Sequence, residues 1–257
     1  MDGEEQFLTR LKANLLSEKV AFDTSWINKI SQQMAQLETG LAAAIARIDF
    51  SGLNLEESIR QDFHTMATRG WTIQMSLTPG IWAGLANQTP EETDEFFVTF
   101  YTEDNFAALR EVRQELTRRT SLAKWKSLLE ECFESLEAGR HLITIPALLS
   151  IIEGVIASAG QALTSHRVRL IHICAENAKK STPSFMNAEM WNSMALFLEK
   201  LFQSAPFDGD KPVFINRHWI LHGRDSASWT IADSLRLFNA LQTVDSLLDC
   251  PASDGDA

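Results

Sequence analysis

The residues best equipped for chemistry lie in one short segment, residues 216–224, which reads NRHWILHGR. It carries two arginines and two histidines. The planar guanidinium of arginine matches the oxygens of a phosphate, and histidine exchanges protons near neutral pH. Together these groups could hold a phosphodiester and move a proton on it without a metal ion.

On a helix, these side chains would share one face. At 100° per residue, a sector of about 160° contains all four cationic or titratable groups: Arg217, His218, His222 and Arg224. Trp219, Ile220 and Gly223 fall on the other side, where they could pack, and Gly223 would permit close approach of another helix. The alternative is that both histidines are ordinary helix residues satisfied by hydrogen bonds.

Charge is unevenly distributed along the chain. The 34 acidic residues outweigh the 23 basic ones, so the formal net charge is -11, which is opposite in sign to that of a general nucleic-acid coat protein. Residues 211–224 nevertheless hold three bases and no acid, whereas residues 91–104 hold six acids and no base. Any polyanion would therefore meet the protein at residues 211–224.

Three segments resemble the HEPN superfamily. Arg217, four residues and His222 match its R-x4-6-H motif, and NRHWILHG is similar to the longer N-R-x-x-x-x-H-G form found in many HEPN-like proteins. Residues 145–154 (IPALLSIIEG) resemble an apolar helix with an embedded Glu-Gly in uncharacterised bacterial HEPN-like families. Residues 235–238 sit on a helix after the motif, as that family leads one to expect. The resemblance covers roughly residues 120–250.

The resemblance implies a helical bundle that forms a homodimer and places two motif helices across a shared cleft. Active members of the superfamily are endoribonucleases that need no metal or cofactor and cleave RNA through attack of its 2′-hydroxyl. By this resemblance His222 is the acid/base, Arg217 the clamp on the phosphate, and His218 a supporting polar group. A toxin-like or defence role would add an antitoxin or regulatory protein as a partner. Many members only bind, so a non-catalytic module for a nucleotide, RNA or protein is the alternative.

Three further residues are predicted to bind substrate or support the site. Asn216 opens the motif, and helix geometry alone adds Arg224 as a phosphate contact. Glu153 is a lone acid in an apolar helix. It either orients a motif histidine or arginine across the bundle or lies as a partly exposed charge on the surface.

Apolar periodicity and capping signals predict an all-α protein. Helices are expected at 25–48, 54–68 and about 103–118, 121–138, 146–159, 187–203, 213–223 and 230–248. Thr89-Pro90 and Thr230 with Asp233 are predicted helix starts. Residues 71–77 and 96–101 could each be a strand or a helix end, and residues 70–87 read as an irregular connection. The predicted organisation is an N-terminal mainly helical region to residue 100, a HEPN-like bundle over 101–250 and a polar tail over 251–257.

The remaining patterns concern compartment, membrane and metal. Cys132, Cys174 and Cys250 are odd in number and lack C-x-x-C spacing, which predicts reduced thiols in a cytoplasmic protein. Residues 142–165 are apolar except for Glu153, whose central charge favours a buried core helix over a membrane span. His166, His172 and Cys174 match no zinc-site spacing, so no metal is expected.

Overall fold

The computed structural model describes residues 55–159, 167–180, 184–206 and 208–249. These residues form nine α-helices and no strand, so the all-α prediction is confirmed. A 3-10 helix, Thr120–Trp125, joins the helices Pro90–Arg118 and Lys126–Glu137. The α-helices are α1 Leu55–Thr68, α2 Pro79–Ala86, α3 Pro90–Arg118, α4 Lys126–Glu137, α5 His141–Ala159, α6 Arg167–Lys180, α7 Phe185–Leu201, α8 Arg217–Leu221 and α9 Ile231–Asp249. The predicted helix 25–48, His166, Cys250 and the tail 251–257 lie outside the described residues.

Two helix starts follow directly from capping chemistry in the sequence. Thr89 Oγ1 accepts the backbone N–H of Glu92 at 3.2 Å, while the Glu92 carboxylate accepts the N–H of Thr89 at 2.8 Å. Thr230 and Asp233 make the same reciprocal pair at the start of α9, at 3.3 and 2.8 Å. Each pair satisfies backbone donors that a helix leaves open at its N-terminus, so both predicted starts are confirmed.

Helix α5 lies at the centre of the fold and contacts α4, α6, α8 and α9. Seven of its apolar side chains are almost fully buried: Ile145, Leu148, Leu149, Ile151, Ile152, Val155 and Ile156. Within the described residues, one segment, His141–Ser158, is long and apolar enough to cross a membrane, with a mean hydropathy of 1.7. Its packing against four helices is that of a core helix, the interpretation favoured by the sequence.

The two segments that could have been strands are not strands. Residues 96–101 belong to α3. Residues 71–74 are irregular, and helix side chains accept two of their backbone N–H groups. Asn239 Oδ1 accepts from Thr72 at 2.8 Å, and Ser193 Oγ accepts from Ile73 at 3.0 Å. A buried segment without a strand partner needs such acceptors, because an unpaired buried N–H is costly.

Several predicted boundaries were wrong. The connection 70–87 contains α2, capped by Thr78 and opened by Pro79, and α6 was not predicted at all. Helix α3 begins at Pro90 rather than 103, and its kink lies at residues 103–106.

The domain boundary expected near residue 100 falls inside α3, and residues on either side of it share one core. Arg236 of α9 donates to both carboxylate oxygens of Asp94 at 2.5 Å, and Asn239 Oδ1 of α9 accepts the backbone N–H of Thr72 at 2.8 Å. All described residues belong to one compact unit.

Candidate functional site

Asn216 fixes where the motif helix begins. Its side chain is fully buried, and its Oδ1 accepts the backbone N–H groups of His218 at 3.1 Å and Trp219 at 3.2 Å. Its Nδ2 donates to the carbonyl of Gln203 at 2.8 Å. The side chain thus caps α8 and ties the helix to the preceding loop. Asn216 is therefore placed to support the motif helix, one of the two roles that the sequence suggested for it.

Arg217, the first residue of α8, is held by Glu153 of α5. The Nε of Arg217 donates to one carboxylate oxygen at 2.5 Å and Nη2 to the other at 3.2 Å. Both side chains are about three-quarters buried, with exposures of 27% and 24%. Of the two interpretations of Glu153 left open by the sequence, the structure therefore favours the first, because this carboxylate orients a motif arginine across the bundle.

Gly154 allows the neighbouring turn of α5 to pack closely. A Cβ added there would overlap the ring of Trp125, which ends the 3-10 helix. The absence of a side chain at 154 therefore lets Trp125 lie against α5 directly beside Glu153. In the Glu-Gly pair of this helix, Glu153 binds Arg217 and Gly154 leaves the space that the Trp125 ring occupies.

The two motif histidines contact each other. Their ring centroids lie 4.5 Å apart with the planes at 70°, an edge-to-face arrangement. Positions four apart on a helix are neighbours, so this contact follows from the spacing of His218 and His222. His218 is half-buried and His222 is exposed. Of the two imidazoles, that of His222 is the more accessible to solvent.

Helix α8 is shorter than the predicted 213–223 and ends at Leu221. Gly223 adopts φ +66° and Arg224 donates its backbone N–H to the carbonyl of Trp219 at 2.8 Å, the αL termination that favours glycine. The helical-wheel argument that placed Arg224 beside Arg217 was therefore wrong, since Arg224 lies beyond the helix. The prediction of close packing at Gly223 was also wrong, because among the described residues, its two chain neighbours aside, no atom lies within 4 Å of where its Cβ would be.

Two of the three residues predicted for the packing face of α8 are confirmed. Trp219 and Ile220 are buried, and Trp219 Nε1 donates to the carbonyl of Ala205 at 3.2 Å. The loop after α8 is anchored by Lys211, whose Nζ donates to the buried Asp225 carboxylate at 2.9 Å and to Ser228 at 2.8 Å. Sequence reasoning counted Lys211 among the bases of an anion site and missed Asp225, one residue past the counted window.

Two surface grooves lie away from the motif. One, of about 330 Å³, runs between α1, α6 and α7 and is lined by Arg60, His64, Glu189, Asn192 and Glu199 among others. The second, of about 410 Å³, is formed by charged side chains of α3 and by Arg119. Arg217 and His222 line neither of these two grooves.

The two cysteines that the structure describes, Cys132 and Cys174, are buried. Burial raises the pKa of the Cys132 and Cys174 thiols to about 12, which leaves them protonated and unreactive near neutral pH. Over the part of the chain that the structure covers, no three His, Cys, Asp or Glu side chains are grouped so as to hold a metal ion.

No known protein family, curated protein or solved structure matches this chain.

Proposed function

We propose that the protein is a metal-independent endoribonuclease of the HEPN type, with a toxin-like or defence role. The observation that carries the proposal is the arrangement of α8. A buried cap and a two-point ion pair orient Arg217, and the exposed His222 lies against His218. The resemblance of NRHWILHG to the superfamily motif supports the same assignment.

In the proposed reaction the RNA 2′-oxygen forms a bond to phosphorus and the bond from phosphorus to the 5′-oxygen breaks. His222 takes up the 2′-hydroxyl proton and returns a proton to the departing 5′-oxygen, which leaves a cyclic phosphate end. Arg217 binds the phosphate oxygens, on which negative charge accumulates in the transition state. His218 supports the His222 ring through their edge-to-face contact.

The decisive experiment incubates the purified chain with RNA in EDTA. We expect cleavage by the natural protein and its loss in Arg217→Ala/His222→Ala, with cyclic phosphate ends on the products. Loss of the general acid–base catalysis by His222 should by itself lower the cleavage rate about 10²- to 10⁴-fold.

A matched control replaces one arginine and one histidine outside the motif by alanine. Arg110 of α3 and His64 of α1 are both exposed, so Arg110→Ala/His64→Ala should leave cleavage intact. Equal cleavage by the natural protein and the motif variant, or none by either, would contradict the proposal.

A second candidate is a non-catalytic module that binds a nucleotide, RNA or a protein partner. The Glu153 carboxylate at Arg217 favours the protein partner within this alternative, because a neutralised guanidinium attracts a free polyanion less strongly. Stoichiometric ligand binding without turnover would establish this function instead.

The homodimer belongs to the proposal as well. Sedimentation of the purified chain at the concentration of the cleavage assay measures it directly. We expect a mass of two chains, and a monomer that cleaves RNA would contradict a shared cleft.

A further inference from the structure

The Arg217–Glu153 pair uses only part of the guanidinium. An arginine carries five N–H donors, arranged along a side edge of Nε and Nη2 and an end edge of Nη1 and Nη2. Glu153 accepts one N–H from Nε at 2.5 Å and one from Nη2 at 3.2 Å, which occupies the side edge. Across the described residues the end edge has no hydrogen-bond partner. The arginine therefore keeps one complete two-pronged edge available.

Burial and the ion pair limit how Arg217 can move. Its side chain is about three-quarters buried, it starts a helix whose cap is fixed by Asn216, and its partner lies on the central helix α5. A guanidinium held in this way loses little conformational freedom when it binds an anion, because the ordering has already occurred on folding. The end edge matches two oxygens of one phosphate.

We propose that Glu153 is a positioning residue which stays bound to the side edge of Arg217 while the end edge binds a phosphate group. This proposal concerns the binding of a phosphate group and does not require that the protein cleave RNA. It rests on the proposed function only if the bound phosphate belongs to RNA. Glu153 touches neither substrate nor reacting atoms. It fixes the direction in which Arg217 presents its donors.

The competing interpretation treats Glu153 as an internal anion that must leave before phosphate binds. The two interpretations predict opposite results. If Glu153 positions Arg217, then removing the carboxylate weakens phosphate binding and catalysis. If Glu153 competes, then removing it strengthens both.

Arginine side-chain NMR of the full chain distinguishes them, with inorganic pyrophosphate as the probe. The Arg217 Nε–Hε signal is assigned by its loss in Arg217→Lys, and its hydrogen bond to the carboxylate should shift it downfield. We expect pyrophosphate to leave this signal in place while the Nη signals of Arg217 move. A return of the Nε–Hε signal to the position of solvent-exposed arginines, or no response of Arg217 at all, would overturn the proposal.

Kinetics of RNA cleavage give the second readout. Glu153→Gln should lower kcat by about 10- to 100-fold with a smaller change in KM, because a misdirected clamp affects the transition state most. Glu153→Asp retains the carboxylate on a shorter stem and should restore part of the loss. A rise in kcat or in pyrophosphate affinity in Glu153→Gln would show that the carboxylate competes.

A matched pair controls for the loss of stability. Arg113 Nε donates to Glu130 at 2.5 Å, with side-chain exposures of 26% and 30%, nearly the same as in the pair at the motif. Arg113 also donates to Glu134 at 3.0 Å and lies 3.7 Å from Glu137. Glu130→Gln should therefore lower the urea midpoint by no more than Glu153→Gln does, and it should leave kcat unchanged. A fall of kcat in both variants would attribute the effect to folding and overturn the positioning role.

The two proposals fail in different ways. If the chain cleaves no RNA but pyrophosphate moves only the Nη signals of Arg217, then the nuclease assignment is wrong and the role of Glu153 stands. If RNA is cleaved and the Nε–Hε signal is released on binding, then the nuclease assignment stands and the role of Glu153 is wrong.

Discussion

At the scale of single residues, the position of the motif side chains depends mainly on the two residues that cap α8. Asn216 closes the N-terminus from a fully buried position, and Gly223 closes the C-terminus in the left-handed region. Between them lie only five helical residues. Such a short helix has little stability of its own, so its caps and its packing hold Arg217 and His222 in place.

A glycine substitution tests the C-terminal cap. Gly223→Ala meets no atom within 4 Å, so its cost comes from the backbone at φ +66° and should be about 1–2 kcal/mol of unfolding free energy. We expect RNA cleavage to fall as well, because His222 directly precedes this residue. Urea denaturation and the cleavage assay measure the two effects.

Gly139 supplies the matched control. It ends α4 with φ +75°, also has open space around its Cβ position, and lies in another loop. Gly139→Ala should destabilise the fold by a similar amount and leave cleavage unchanged. A parallel loss of cleavage in both variants would mean that activity follows overall stability and not the geometry of α8.

The sequence predicted the members of the motif better than their arrangement. Its four-residue spacing correctly brings His218 against His222. The predicted place of Arg224 was wrong because the wheel assumed that the helix continued through a glycine. A glycine just past the last apolar residue is itself a helix-end signal, which could have revealed the stop at Leu221.

At the scale of elements, the contact between α5 and the 3-10 helix places Glu153. Trp125 lies over Gly154, and the carboxylate next to it reaches α8. Periodicity could identify α5 as apolar, but it could not show which other segment lies opposite each residue. The partner of Glu153 was therefore left open between two interpretations.

A double-mutant cycle tests this packing. Gly154→Ala should lower the unfolding free energy by about 1–3 kcal/mol, because the added methyl group overlaps the Trp125 ring. In a Trp125→Ala background the same change should be neutral or stabilising by about 0.5–1 kcal/mol, since alanine suits a helix interior better than glycine. Urea denaturation measures both changes in unfolding free energy. Equal losses with and without Trp125 would contradict close packing of Trp125 on Gly154.

Helix α3 is kinked at residues 103–106. Asp104, Asn105 and Phe106 adopt left-handed φ values of 49°, 56° and 63°. Asp and Asn tolerate that conformation better than most residues, which fits the first two positions. Composition alone could not distinguish this break from the helix start that was predicted at 103.

At the scale of the whole molecule, one core joins residues on both sides of the predicted boundary at 100. A buried polar cluster contributes to it, in which Thr72 bonds to Asn239 at 2.8 Å and to Thr243 at 2.7 Å. These contacts span about 170 positions in the chain. Local composition does not reveal contacts between residues so far apart in the chain, and for this reason the sequence predicted a boundary near residue 100 where the structure has one core.

The buried thiols predict how stability depends on alkaline pH. Burial raises the pKa of Cys132 and Cys174 from 9.0 to about 12, so the folded chain keeps two protons that the unfolded chain releases. Their contribution to stability is complete below pH 9 and is lost as the pH rises through 12. By pH 10.5 the loss should be on the order of 1–2 kcal/mol per thiol.

Urea midpoints at pH 7.5 and 10.5 measure this loss. Other groups also titrate there, so the comparison is with Cys132→Ala/Cys174→Ala over the same interval. The double variant is expected to lose less stability than the natural protein. Equal losses would show that these thiols ionise in the folded protein as readily as in the unfolded chain.

The sequence by itself determined the all-α class, the helix starts at Thr89 and Thr230, the burial of α5, and the spacing that brings His218 against His222. These features depend on local periodicity and on capping, which act over a few residues and can be recognised in the order of the side chains. Only the tertiary structure decided that Glu153 holds Arg217, that Trp125 packs on Gly154 and that residues before position 100 complete the same core. Those contacts join residues far apart in the chain, and packing selects them only when every helix is in place.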